Sequence, residues 1–241
     1  MKKRAKKHIA RKRITQKKLT KKRIDNLFPR VISQFDTLIP FLAISHKDVF
    51  NLIRKERNIW FPEDRESVFP DSYAIYQTQI THSAFLLGYS YFEAFLADLV
   101  RQIYLSKPTM LPKEKQLKYA DILKTTDYEA ILELMIEREI IDLFYKRMDE
   151  VIKYFEEKLN LKWPNNYKYE VVVTSYLRNC IIHNLSRVDY RLSQVSKYKI
   201  GDKIRLSSSN VHSFGLKARD LVQNLYMQAT KKYLEKRRKK T

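Results

Sequence analysis

The chain has 241 residues and a formal net charge of +21. Three Gly and seven Pro are too few for a turn-rich sandwich or barrel, and a single cysteine excludes a disulfide framework and a cysteine-built zinc site. The excess of positive charge points to a polyanionic partner.

That charge is concentrated at the two ends. Residues 1–24 hold 13 Lys and Arg and no acid, and residues 231–241 hold seven against one Glu, which leaves a net of +2 for residues 25–230. Segment 1–24 has too few apolar residues to pack and is expected to be a basic disordered tail; 25–230 is expected to be a single helical domain; 231–241 is a second basic tail. Lys2, Lys3, Arg4, Lys6, Lys7, Arg11, Lys12 and Arg13, with Lys236, Arg237 and Arg238, are the candidates for gripping RNA phosphates without reading sequence. The first segment lacks the apolar core of a secretory signal, and no stretch reaches the roughly 18 apolar residues of a membrane span. A soluble, cytoplasmic protein with no membrane partner is expected.

Helical periodicity dominates between the tails. Val31, Phe35, Leu38 and the apolar residues after them recur at three-to-four spacing, with Pro40 expected to kink or split the region. Trp60 to Ser72 reads as a loop, with Asp71 or Ser72 as the cap of the next helix. That helix is long and aromatic, running to about Tyr104, and its second half is apolar nearly all round, as a buried helix is. Pro108 and Pro112 then break the chain. Amphipathic segments are predicted near 114–125, 127–145 and 148–159, and another helix from about Tyr167 to His183. In the polar connector that follows, 198–206 reads as a short β-hairpin or extended turn around Gly201-Asp202. Ser207 to Asn210 cap a last helix. The fold class is all-α, a helical bundle with one small extended excursion.

The stretch with chemistry in it is SYLRNCIIHNLSRVD, Ser175 to Asp189. On a helix Asn179 and His183 stand at i and i+4 and share a face, while Arg178 lies about 140° round, with an arm long enough to reach the same cleft. A guanidinium, an amide and an imidazole together suit phosphodiester chemistry on RNA. Imidazole can take a proton from a 2′-hydroxyl, or imidazolium can give one to the departing 5′-oxygen. Guanidinium can hold the non-bridging oxygens and stabilise charge on the pentacoordinate phosphorus. The nucleophile belongs to the substrate, so the chemistry calls for no metal or cofactor. Cys180 falls on the packed side of this helix and reads as a small core residue. His82 and His212 stand alone, without partners at ligand spacing.

YLRNCIIHN resembles the signature of HEPN-domain proteins, in which an arginine and a polar residue precede a histidine. These are small helical domains common in bacterial toxin–antitoxin and phage-defence systems. Ser90 to Val100, SYFEAFLADLV, is similar to the helix these domains place near their active site, and Tyr198 to Ser207 resembles a turn that follows the motif in ribonuclease-toxin-like subgroups. The resemblance spans roughly Asp71 to Met227 and leaves out the tails. It implies a HEPN-like bundle and a metal-independent endoribonuclease that leaves 2′,3′-cyclic phosphate ends. It also implies a homodimer whose two motifs face one another in a composite active site. Arg178 and His183 map to the catalytic pair and Asn179 to the polar residue between them. Glu93, in the matching helix, could orient the pair, and Asn184 is a further supporting residue. A toxin would be restrained by an antitoxin or another regulatory protein.

Many HEPN domains are inactive, and fold alone does not establish an enzyme. The alternative is therefore a non-catalytic module that binds nucleic acid or protein, as an antitoxin or accessory subunit would.

Overall fold

The computed structural model describes residues 27–38, 68–117, 119–122 and 127–234. Residues 1–24 and 235–241 and the expected kink at Pro40 lie outside the described residues; residues 231–234, expected to open the second basic tail, are instead helical, and Lys232 Nζ donates to Asn160 O at 2.6 Å. The fold is all-α. Helix α1 spans 27–38, α2 Val68–Ser106, α3 Tyr119–Ile122, α4 Tyr128–Phe144, α5 Met148–Glu157, α6 Asn165–His183, α7 Tyr190–Gln194 and α8 Ser208–Ala229. A 3-10 turn follows α2 at Pro108–Met110, and α8 runs on into a π-helical turn, Thr230–Leu234.

Local chemistry sets most of these boundaries. The Asp127 carboxylate accepts from Ala130 N at 2.9 Å and starts α4. Asp189 does the same for α7, accepting from Leu192 N at 2.8 Å. Ser207 and Asn210 cap α8 reciprocally, each backbone N–H bonded to the other's side chain. One predicted boundary moves. Helix α2 begins at Val68, so Asp71 and Ser72 lie inside it. Pro70 does not prevent this, because the first turn of a helix has no use for its N–H groups.

The described residues divide into two compact units, each interleaved in sequence. The first takes residues 27–30, 94–164 and 221–234. Phe95, Leu96, Leu99, Val100 and Ile103 of α2, Ile136 and Leu143 of α4, and Val151 and Phe155 of α5 are buried in it. Each such side chain contributes about 1.5–3 kcal/mol over leaving it in water. Trp163 meets Phe155 edge-on at 5.9 Å. Within this core Tyr154 Oη donates to Glu139 Oε1 at 2.6 Å, Tyr104 and Tyr154 share a hydroxyl contact, and Lys115 Nζ lies 2.5 Å from both Glu139 and Asp142. Burial pushes the Tyr104 hydroxyl up to about 12, so the network holds its phenols neutral.

The second unit takes residues 31–38, 68–93 and 165–220. Its core joins Ala84 and Phe85 of α2, Leu177 and Cys180 of α6, Leu192 of α7, Val211 of α8, and Val188 and Ile204 from the connector. Gly88 permits a close approach, since a Cβ there would meet Leu38 Cδ1 at 3.0 Å and the Phe214 ring at 3.3 Å.

The extended excursion pairs in a way its own sequence does not disclose. Residues 198–206 do not fold back on themselves; they turn at Lys199–Asp202, with Gly201 at φ 86°, and pair with the strand-like residues just after α6. Val188 N donates to Asp202 O at 2.9 Å and Ile204 N to Ser186 O at 2.7 Å. These two bonds flank one isolated antiparallel bridge, Arg187 to Lys203. No β-hairpin forms among the described residues.

By length and composition alone, Ala74–Ser106 of α2 could cross a membrane, contrary to the sequence expectation that no stretch is long and apolar enough. Half of its most apolar window is buried within the fold, which is also how the core helix of a bundle reads.

Candidate active site

The candidate catalytic and supporting residues, Glu93, Arg178, Asn179, His183 and Asn184, all belong to the second unit. Helix α2 contributes a stripe at helical spacing: His82, Phe85, Tyr89 and Phe92, all buried, with Glu93 beside its end. Helix α6 packs along that stripe in the opposite sense. Ser175 bonds to Tyr89, Arg178 reaches Glu93, and Ser186, beyond the helix end, lies 3.3 Å from His82 Nδ1.

Arg178 is held on three sides. Its Nη1 donates to Asn179 Oδ1 at 2.9 Å, its Nη2 lies 3.7 Å from Glu93 Oε2, and its guanidinium sits over the Tyr89 ring, 5.9 Å from the centroid. Its side chain remains 32% exposed and that of Glu93 31%. An ion pair this long and this wet is worth at most about 1 kcal/mol. Its effect is on position: the fork is aimed, and part of it still faces water. Burial pushes the Glu93 carboxyl up, and Arg178 opposes that without cancelling it. Burial also pushes the Tyr89 hydroxyl up, helped by the Glu93 carboxylate, so the phenol stays neutral beneath the guanidinium.

His183 ends α6 and is exposed. Its ring makes no hydrogen bond or ion pair among the described residues. Asn179 stands one turn before it on the same face, with its Oδ1 engaged by Arg178. Asn184 points elsewhere. Its Nδ2 donates to Arg187 O at 2.8 Å and its N–H to Cys180 O, so it closes the helix end. The two residues after it are left-handed, Leu185 at φ 50° and Ser186 at φ 60°. Cys180 is 1% exposed, and burial pushes its thiol up, as for a core residue.

Arg178, Asn179 and Glu93 are thus brought into contact, His183 shares the helix and a face with Asn179, and Asn184 serves the backbone. The basic candidates of the two tails lie outside the described residues. Tyr89 is the member that sequence reasoning missed. It reads as one more apolar aromatic, and it is buried like one, but it is also the floor under Arg178. His82, isolated by sequence spacing, is 7% exposed, and burial, then the Lys203 ammonium, hold its pKa below the ordinary 6.5.

A cavity of about 250 Å³ lies elsewhere in this unit, walled by Phe85, Phe92, Val173, Leu177, Tyr198 and Phe214. Arg178, Asn179 and His183 do not line it; with His183 exposed and the Arg178 side chain part-exposed, the motif faces solvent. Among the described residues no three His, Cys, Asp or Glu side chains cluster as metal ligands would. The chain matches no protein-family model, no curated protein and no solved structure.

Proposed function

We propose that this chain is a HEPN-like, metal-independent endoribonuclease of toxin or phage-defence type, acting in the cytoplasm as a homodimer. The observation that carries the reading is Arg178, aimed by Asn179, Glu93 and Tyr89 on the helix whose last residue is the exposed His183. In the reaction, a neutral imidazole takes the proton of a ribose 2′-hydroxyl, and the 2′-oxygen attacks the adjacent phosphorus. The bond from phosphorus to the 5′-oxygen breaks, and that oxygen leaves with a proton from an imidazolium. The products are a 2′,3′-cyclic phosphate and a 5′-hydroxyl. Arg178 neutralises the non-bridging oxygens while phosphorus is pentacoordinate. One histidine cannot be base and acid in the same step, and an open face excludes little water. A second copy opposite the first supplies both the other His183 and the missing wall.

The contacts of Arg178 also favour a second reading. A guanidinium already paired with Glu93 and Asn179 fits a structural tie, as in a non-catalytic module that binds RNA or a partner such as an antitoxin. Cleavage separates the two. In EDTA, the wild-type chain is expected to cut RNA to cyclic-phosphate ends and His183→Ala to lose at least 100-fold in rate, the scale of general acid–base catalysis. Equal cleavage by both would refute the assignment.

A further inference from the structure

The near-neutral average of residues 25–230 conceals a local excess. Residues 94–164 carry 12 Lys and Arg against 13 Asp and Glu, whereas residues 165–220 carry ten against four, a net of +6. Most of that excess sits in the connector after His183, as Arg187, Arg191, Lys197, Lys199, Lys203 and Arg205, all exposed. None of the six makes an ion pair among the described residues.

Three of them share one face. Arg187 and Lys203 are direct cross-strand partners, and the hydrogen bonds on either side make theirs a non-hydrogen-bonded pair. In such a pair the Cα atoms approach to about 4.5 Å and the two side chains leave the same side. Ile204 is wholly buried, so Lys203 and Arg205 on either side of it both point outward. Among the described residues neither nearby acid forms an ion pair with them, and the Asp189 carboxylate is turned to Leu192 N at the start of α7. Like charges placed directly opposite are destabilising, and an anion between them reverses the sign.

The geometry points to the face formed by Arg187, Lys203 and Arg205 as a site that grips the phosphodiester backbone of single-stranded RNA beside the linkage to be cut. It rests on the ribonuclease reading for its ligand. The face begins four residues beyond His183, and Asn184 clamps the Arg187 carbonyl to the helix end, so the two lie at the same end of α6. Lys203 and Arg205 two residues apart along one extended segment, with Arg187 directly across from the first, present cations over a length that suits successive phosphates better than a single compact anion.

Binding is measured on the full-length chain carrying His183→Ala, which leaves the RNA intact. A labelled single-stranded oligouridylate is titrated from about 50 to 200 mM salt, the range over which phosphate contacts are lost. Replacing Arg187, Lys203 and Arg205 together by Gln is expected to make the slope of log affinity against log salt shallower by about 2, at roughly 0.7 per phosphate contact. Both proteins keep their tails, so the difference belongs to this face. Arg205→Gln alone, which removes no contact within the fold, is expected to lower the slope by about 0.7 and serves if the triple variant does not fold. An unchanged slope in a folded variant overturns the proposal. The ribonuclease reading fails separately: a wild-type chain that never cuts, with the slope still reduced in the variant, removes the enzyme and leaves the site.

Discussion

The two units use charge in opposite ways. In the first, ionic groups face one another: Asp98 takes both Arg30 and Arg101, Arg101 also holds Glu137 at 2.5 Å, and Lys115 bridges Glu139 and Asp142. In the second, six exposed cations stand along one connector with no ion pair among the described residues, two of them directly opposed. Charge in the first unit closes on itself and rigidifies a helical core. In the second it is left open to solvent, next to a helix that ends in an arginine, an amide and an imidazole. The contrast separates a scaffold whose charges are paired from a surface whose charge is left open.

The largest effect expected on stability is in the scaffold. Glu139→Ala removes a buried carboxylate and leaves the part-buried Tyr154 hydroxyl only Tyr104 to bond, and is expected to cost about 1–3 kcal/mol in a denaturant titration. Lys115 is 45% exposed and recovers its solvation, so it adds little. A silent Glu139→Ala would erase the distinction between the units. In the connector the costs are smaller and come from the backbone. Gly201 sits at φ 86° with open space around it, so Gly201→Ala meets no clash and only conformational strain, expected at about 1–2 kcal/mol. A thermal melt unchanged by that substitution would mean that the turn relaxes freely.

The smallest effect is visible only as a dependence on pH. His82 is held neutral in the folded chain, so below about 6.5 the unfolded chain binds the proton more readily. Stability present above that value is therefore lost as the pH falls through the lowered pKa. His82→Gln is expected to flatten this part of the stability profile. A wild-type profile already flat between pH 7 and pH 5 would count against the burial of this ring beside Lys203.

Much of the scaffold was legible because its signals are local. Asp127 before an amphipathic run and Ser207 to Asn210 before α8 are capping chemistry, readable within one turn of helix. Helix α6 could be read from spacing, and with it the shared face of Asn179 and His183. Three features were not legible, each because it depends on distant partners. Pairing of residues 186–188 with 201–204 joins two segments that look like separate loops. Tyr89 gains its place beneath Arg178 from a helix some ninety residues later in the chain. Lys203 lies near His82 only after that pairing has formed. The cationic face was missed for a different reason: a charge averaged over 25–230 cancels an acidic stretch against a basic one.

Leu185 and Ser186 have a consequence for reach. Outside glycine the left-handed region is a small well, so two consecutive residues in it leave the chain one narrow route out of the helix. The stride from His183 to Arg187 is thereby written into backbone angles rather than into flexible side chains. The loop behaves as a ruler. A ligand that touches both ends is measured against a length the chain has already set, and one added residue between Asn184 and Arg187 would shift the register of every contact beyond it.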